Sequence, residues 1–248
     1  MKRLALLLGP IVLITIWVLL YSNKLVSPLF VPSPWSVFAE VKKGIFDGVL
    51  LPDLGYTIIR VTIAVVCALL VGIPVGIFLG LSKPFYRSVE VLLDFFRSIP
   101  ATALMPLFLL FFGIDEIGKI AIAVWAGSFV IAINTMYGVR RTSRIRLMYI
   151  RSIGATKWQE ITKVVIPDAC PTIFVGIRTA ISLSMIYIVV AEMFMGSIKG
   201  LGSRIYDAGI VSDTPLMYAS IILVGLTGYT INKVFVGLEK KIIHWPGQ

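Results

Sequence analysis

Few side chains in this sequence are placed to do covalent or proton-transfer chemistry. The only histidine, His244, lies in the C-terminal tail and reads as a solvated residue. Cys67 and Cys170 are far apart and match no metal or redox spacing, and Cys67, inside an apolar run, reads as packing. A loop that cradles phosphates needs glycines at set positions followed by Lys and Ser or Thr, so that backbone amides and one ammonium converge. "GSIKGLGS" (Gly196–Ser203) is rich in glycine without that order, and no nucleophile elbow, zinc motif or dinucleotide fingerprint occurs. Neither enzyme chemistry nor a cofactor or metal of its own is expected of this chain.

Ion coupling is the next chemistry to consider, because charges inside apolar segments are costly and mark function. Arg60, Arg178 and Glu192 fall within or at the end of apolar runs, and Asn134, Ser182 and Ser184 add neutral polar groups. The two arginines are long enough to reach an interface by snorkelling. The cluster of buried acids that a proton- or sodium-driven carrier uses is not evident. What remains is one polar, glycine-broken stretch between lipid-like segments, "RSIGATKWQEITKVVIP" (Arg151–Pro167).

The elements that must hold that stretch are membrane spans. The 248 residues are 58% hydrophobic and 15% charged, with mean hydropathy +0.93, against about 45–50% and about 25% in soluble domains. Six apolar segments are read as helical spans, at 4–21, 57–81, 99–112, 118–138, 172–195 and 216–236. The first has the basic start of a signal peptide, but without a small-residue cleavage site it reads as an uncleaved span. The third is short and contains Pro100 and Pro106; it is expected either to begin earlier, in "VLLDFFRS", or to be broken within the bundle.

Lys and Arg set the orientation. Lys2 and Arg3, Lys83, Arg87 and Arg97, the run from Arg140 to Lys163, and Lys233, Lys240 and Lys241 fall on one side. Lys24, Lys42, Lys43, Lys119, Lys199 and Arg204 are the lesser share on the other. The bias puts both termini and the polar stretch in the cytoplasm. It also accounts for the net charge of +10 without nucleic acid as a partner. Domain organisation is then a single transmembrane domain, with residues 1–56 as first span and outer loop, and 57–236 as a five-helix core. In the outer loop "SPWSVFAEVKKGIFDG" reads either as a surface helix capped by Ser33 or Ser36, or as a plain connector. In "GIPVGIFLG", Gly72, Gly76 and Gly80 share one helical face and are expected to let another helix approach closely.

Within residues 139–171 local signals define two short helices. "SRIRLMYIRSI" suits the first, and Gly154 offers the positive φ that ends it. Thr156 and Gln159 have capping-box spacing for the second, over Lys157–Ile166. Trp158, Ile161, Val164 and Val165 would form its apolar face, and Pro167 would stop it before the fifth span. The residues alone leave two accounts open, a surface-lying connector or a knob for a soluble partner.

Gly154, Val164, Ile166 and Pro167 resemble the second half of the "EAA" loop of permease subunits from binding-protein-dependent ABC importers. "VPSP" (Val31–Pro34), "GIPVGIFLGLS" (Gly72–Ser82), "FFRSIPATALMPLFLLFFGI" (Phe95–Ile114), "NTMYGVR" (Asn134–Arg140), "IGATKWQEITKVVIPDACPTIFVGIRTA" (Ile153–Ala180) and "VVAEMFMGSIKGLG" (Val189–Gly202) resemble its nitrate/taurine/sulfonate/bicarbonate branch. One departure stands out: Met148, Tyr149 and Ile150 occupy the place of the Glu-Ala-Ala that names the loop, leaving Glu160 or another first-helix surface to compensate.

The resemblance implies an all-α, type I (MetI-like) permease architecture in a bacterial inner membrane. Gly154, Ala155, Thr156, Lys157, Trp158, Gln159, Glu160 and Pro167 would then belong to the coupling helix that docks on a separate ATPase. It further implies two ATPase copies holding ATP and Mg, a second copy of this chain, and an extracytoplasmic substrate-binding protein. Met105, Pro106, Ser182, Met185 and Glu192, with Asn134 on the fourth span, are the candidates for lining a pathway; ordinary interhelical packing is the competing account for each. A stand-alone carrier or channel and a membrane scaffold are the alternatives of other classes.

Overall fold

The structure is a computed structural model that describes residues 2–243, with side chains from residue 8 onward; His244 lies outside the described residues. Eleven α-helices are described: α1 (Lys2–Ser22), α2 (Pro34–Phe46), α3 (Leu50–Leu81), α4 (Lys83–Ser98), α5 (Met105–Phe112), α6 (Glu116–Arg140), α7 (Arg144–Ser152), α8 (Lys157–Glu160), α9 (Ile166–Phe194), α10 (Leu201–Ile210) and α11 (Thr214–Ile242). Among the described residues four helical stretches are long and apolar enough to cross a bilayer: Leu50–Leu81, Glu116–Arg140, Lys157–Phe194 and Thr214–Ile242. Lys83–Ser98 with Ala101–Phe112 makes a fifth if that pair, bent by 86°, is one broken span; the apolar helix over Leu8–Ser22 is shorter. Large apolar side chains such as Leu70, Phe111, Val175 and Leu226 stand exposed, as expected where the solvent is hydrocarbon.

The segment expected as the third span is thus broken, with a helix ahead of its apolar run. Ser82 caps α4, and Ile99 leaves the helix in an extended conformation (φ −82°, ψ 119°), as the residue before a proline must. Ala101–Leu104 form a 3-10 turn before the eight residues of α5. The loop after α1 contains a real helix: Ser33 accepts the Ser36 N–H at 2.9 Å and caps α2.

The chain divides into two compact units, with the boundaries inside α3, α9 and α11. One unit holds the chain up to Thr57 together with Glu192–Leu226. There Trp17 donates from Nε1 to the Pro32 carbonyl at 3.0 Å, and the Tyr218 hydroxyl donates to the Phe30 carbonyl at 3.0 Å, pinning the turn-rich segment before α2.

The other unit holds Ile58–Ala191 and the chain from Thr227. Its core gathers Val139, Val165, Ala169, Ile173, Ile177 and Ile181. The glycine face of α3 lies directly on α6: a Cβ at Gly72 would meet Ile131 Cβ at 2.8 Å, and one at Gly80 would meet Val139 Cβ at 2.5 Å. Helices this close exchange side-chain volume for backbone contact along the crossing.

Arg60 does not snorkel. It is buried, and its guanidinium clasps the Glu116 carboxylate, with Nη2 donating to Oε1 at 2.7 Å and Nε to Oε2 at 2.5 Å. A fork of two parallel bonds compensates the desolvation of a buried cation better than a walk to the interface. Arg178 donates from Nε to Asn232 Oδ1 at 3.1 Å.

Candidate functional site

The polar stretch forms a turn built almost wholly from local signals. Ser143 caps α7, and Asp168, at the start of α9, accepts the Ser143 N–H at 3.3 Å and pairs with Arg146 at 3.0 Å. At its other end α7 closes with a Schellman motif. Gly154 has φ +78°, its N–H bonds the Arg151 carbonyl at 3.1 Å, and the Ala155 N–H bonds the Ile150 carbonyl at 3.2 Å. Thr156 and Gln159 then make the capping box that their spacing predicts: Gln159 Oε1 accepts the Thr156 N–H at 2.8 Å, and Thr156 Oγ1 accepts the Gln159 N–H at 3.3 Å.

A bidentate ion pair ties the two short helices together. Arg151 donates from Nε to Glu160 Oε2 at 2.9 Å and from Nη2 to Oε1. The carboxylate lifts the guanidinium above its already high ordinary pKa, so the arginine end stays charged. Glu160 is thus engaged inside the turn rather than offered as a substitute for the missing acidic start. The first-helix surface presents exposed Met148 and Tyr149 instead, beside exposed Ile153 and a Trp158 that is 73% exposed.

Two expectations about this turn are corrected. Pro167 does not stop the second helix, which continues through a π turn at Ile161–Val165 into α9, so that Lys157–Phe194 runs as one helix. A proline ring clashes with the carbonyl four residues back and forfeits one bond; a turn widened just before it absorbs both. The same widening rotates the chain, so Trp158 no longer shares a face with Val165, which is 2% exposed. Ile161 and Val164 are half-buried between them.

A second polar cluster, in the unit that holds the chain up to Thr57, escaped sequence reading. Asp53 and Thr57, one turn apart on α3, and Glu192 near the end of α9 are all buried and converge on the residues that open α10. Asp53 Oδ1 accepts the Gly200 N–H at 3.0 Å, Thr57 Oγ1 accepts the Leu201 N–H at 3.0 Å, and Glu192 Oε2 accepts the Gly202 N–H at 2.8 Å. The Thr57 hydroxyl donates to Glu192 Oε1 at 2.9 Å, and Arg204 pairs with Asp53 Oδ2 at 2.8 Å. Three side chains thus satisfy three successive donors that a helix N-terminus leaves open. Buried acids do exist here, but each is committed to a backbone amide. The signal available in the sequence was Asp53 and Thr57 at i, i+4 in an otherwise apolar segment.

Thr57→Val should lower the stability of this unit by about 1–3 kcal/mol, since the Leu201 N–H loses its acceptor and Glu192 a donor. Thr57→Ser should restore most of it. Thermal melts of the purified chain check both, and equal melting of all three proteins would contradict the assignment.

The remaining candidates are dispersed. Met105 is buried and Pro106 exposed at the start of α5. On α6, Asn134 donates to the Val130 carbonyl at 2.9 Å and lies beside Gly176 of α9, where an added Cβ would meet its Cβ at 2.7 Å. Ser182 is exposed, with its hydroxyl 3.4 Å from the Arg178 carbonyl, and Met185 is buried. Glu192 belongs to the α10 cap.

Comparison with known proteins places this geometry. The family described as "Binding-protein-dependent transport system inner membrane component" matches residues 72–243. The taurine transport system permease protein TauC of Escherichia coli is 29% identical over 242 residues, covering 96% of this chain and 88% of its own length. A putative aliphatic sulfonates transport permease protein, SsuC of Bacillus subtilis, is 33% identical over 240 residues, covering 96% and 86%. The bicarbonate transport system permease protein CmpB of Synechococcus elongatus is 30% identical over 226 residues, covering 86% and 80%. A solved chain of the MetNI methionine ABC transporter, in inward-facing conformations, superposes with TM-score 0.68 at 21% identity, covering 78% of this chain and 95% of that one. The fold is shared with that chain.

Proposed function

The chain belongs to the family of binding-protein-dependent transport system inner membrane components, and from that premise we propose that it forms the translocation pathway of an ATP-driven importer for a small anion. Sulfonates, taurine, bicarbonate and nitrate are the solute class. The resemblance to sulfonate, taurine and bicarbonate permeases over most of the chain supports this class. In this reading α1, α3, the broken α4–α5 pair, α6, α9 and α11 make six spans with both termini cytoplasmic. Two copies enclose the path, a binding protein delivers solute from outside, and ATP with its Mg is held and hydrolysed by two copies of a separate subunit.

The observation that carries coupling is the turn at 154–160. It is rigid at its base, through the Schellman motif, the capping box and the Arg151–Glu160 pair, and apolar at its tip, through Trp158 with Met148, Tyr149 and Ile153. A rigid stem with an exposed apolar tip suits a groove in a soluble partner. Because α8 runs through the π turn into α9, a push on Trp158 acts on one end of a helix of 38 residues. At about 1.5 Å per residue, that lever is on the order of 55 Å long. Closure of the two ATPases would draw two such levers together and rock the spans about the path, the logic of alternating access.

Reconstitution tests the reading. Proteoliposomes holding this chain and its ATPase, supplied with the binding protein, should accumulate labelled sulfonate only with internal ATP. Uptake by this chain alone on an ion gradient would overturn it.

A further inference from the structure

An open cavity of about 780 Å³ lies in the unit that contains α7, between the end of α3, the start of α4, the end of α6 and α7. Its lining is strongly basic. Lys83, Arg87 and Arg144 line it, and their side chains make no ion pair or hydrogen bond with any described residue. Arg140 lines it too, with its guanidinium 3.7 Å above the Tyr86 ring. Against these stand two carboxylates: Glu160, already held by Arg151, and Glu90, which accepts the Tyr86 hydroxyl at 2.8 Å. A second observation points to a ligand. Thr142, buried and lining the same cavity, has a hydroxyl without a hydrogen-bond partner, and an unmade bond at a buried hydroxyl is costly.

We infer that this cavity is a binding site for the phosphate-bearing headgroup of an anionic phospholipid. Unpaired cations facing one space pull in an anion, and an arginine fork with a free threonine hydroxyl suits phosphate oxygens. Size selects the source. Cavities of about 300–1,000 Å³ hold whole organic ligands, so a bare anion would leave most of this one to water. Position agrees, since Leu81, Val139 and Val165 supply apolar walls where the spans end, and the exposed Phe78–Phe85 ring pair continues the apolar surface next to Leu81. Basic pockets between spans at the cytoplasmic leaflet recognise anionic headgroups in this way. The inference rests on the orientation proposed above, and its test reads lipid binding without the ATPase, so failure of coupled uptake and failure of this site are separable.

The experiment uses the full chain in detergent, with its melting temperature followed as short-chain phosphatidylglycerol is added. A saturating upward shift is expected that short-chain phosphatidylcholine does not produce. Arg87→Gln with Arg144→Gln should raise the half-saturating concentration about 25-fold, each cation near a lipid surface contributing about fivefold. Thr142→Val should weaken binding without lowering the lipid-free melting temperature, and should raise it if anything, because the buried hydroxyl has no partner to lose. The site is overturned if phosphatidylcholine shifts the melt equally, or if the folded double variant responds as the parent does. It is also overturned if sodium phosphate or glycerol 3-phosphate reproduces the shift at the same concentration, which would assign the cavity to a soluble anion.

Discussion

Gly154→Val should release the ATPase from the membrane-embedded chain and abolish ATP-driven uptake if the turn docks that subunit as proposed, while the chain itself still folds and inserts. The effect comes from the backbone rather than from contact. A Cβ at this position would meet nothing within 4 Å, but φ is +78°. A β-branched residue held there costs on the order of 1–3 kcal/mol, enough to unwind one exposed turn but not a bundle of long helices. Asparagine tolerates the same conformation, so Gly154→Asn should retain the ATPase where Gly154→Val should not. Trp158→Asp gives the same loss by another route. At 73% exposure the ring adds little to the isolated fold, so a charge there should remove the proposed anchor and leave the melting temperature near that of the parent. Co-purification of the ATPase with each variant decides the matter. If the ATPase stays bound through both Gly154→Val and Trp158→Asp, the turn is not the docking element.

The second large effect belongs to the glycine face of α3. A Cβ at Gly76 would lie 2.5 Å from the Ala132 carbonyl oxygen and 2.5 Å from Thr135 Cβ. The first is backbone inside α6 and the second is bonded directly to it, so neither can swing aside as a side-chain tip would. Gly76→Ala should therefore cost about 1–3 kcal/mol by overpacking, and Gly76→Val should prevent recovery of a monodisperse protein. Gly55 provides the control in the same helix, because a Cβ there meets nothing within 4 Å. Gly55→Ala should be neutral or stabilising by up to about 1 kcal/mol from helix propensity alone. Size-exclusion profiles and melts of the three variants check the order, and a Gly76→Ala protein as stable as the parent would contradict the close crossing of α3 and α6.

Local physics explains what could be read from the residues alone. Apolar runs of about 20 residues announce spans because hydrocarbon rejects charge over that length. Gly154 and the Thr156–Gln159 pair announce a turn because each acts over three to five residues of contiguous backbone. The same short reach offered Ser33 or Ser36 as a cap in the outer loop, and the structure selects Ser33. The fold class and the shape of the turn at 154–160 were therefore legible, down to the capping box that opens its second helix.

What the tertiary structure alone decided depends on groups far apart in the chain. Nothing near Glu192 in sequence indicates that it meets Thr57, 135 residues away, or that both are used on the amides opening α10. Arg60 reads as a snorkelling cation until Glu116, 56 residues on, is found closing on it. Pro167 reads as a stop signal, yet the helix passes it, because the core around Val165 and Ala169 rewards continuity more than a single lost bond penalises it. A sequence states which groups are polar, stiff or bulky, and so determines where this chain enters lipid and where it turns. Which buried polar group satisfies which other is settled only when packing brings them within about 3 Å, the range over which a hydrogen bond acts.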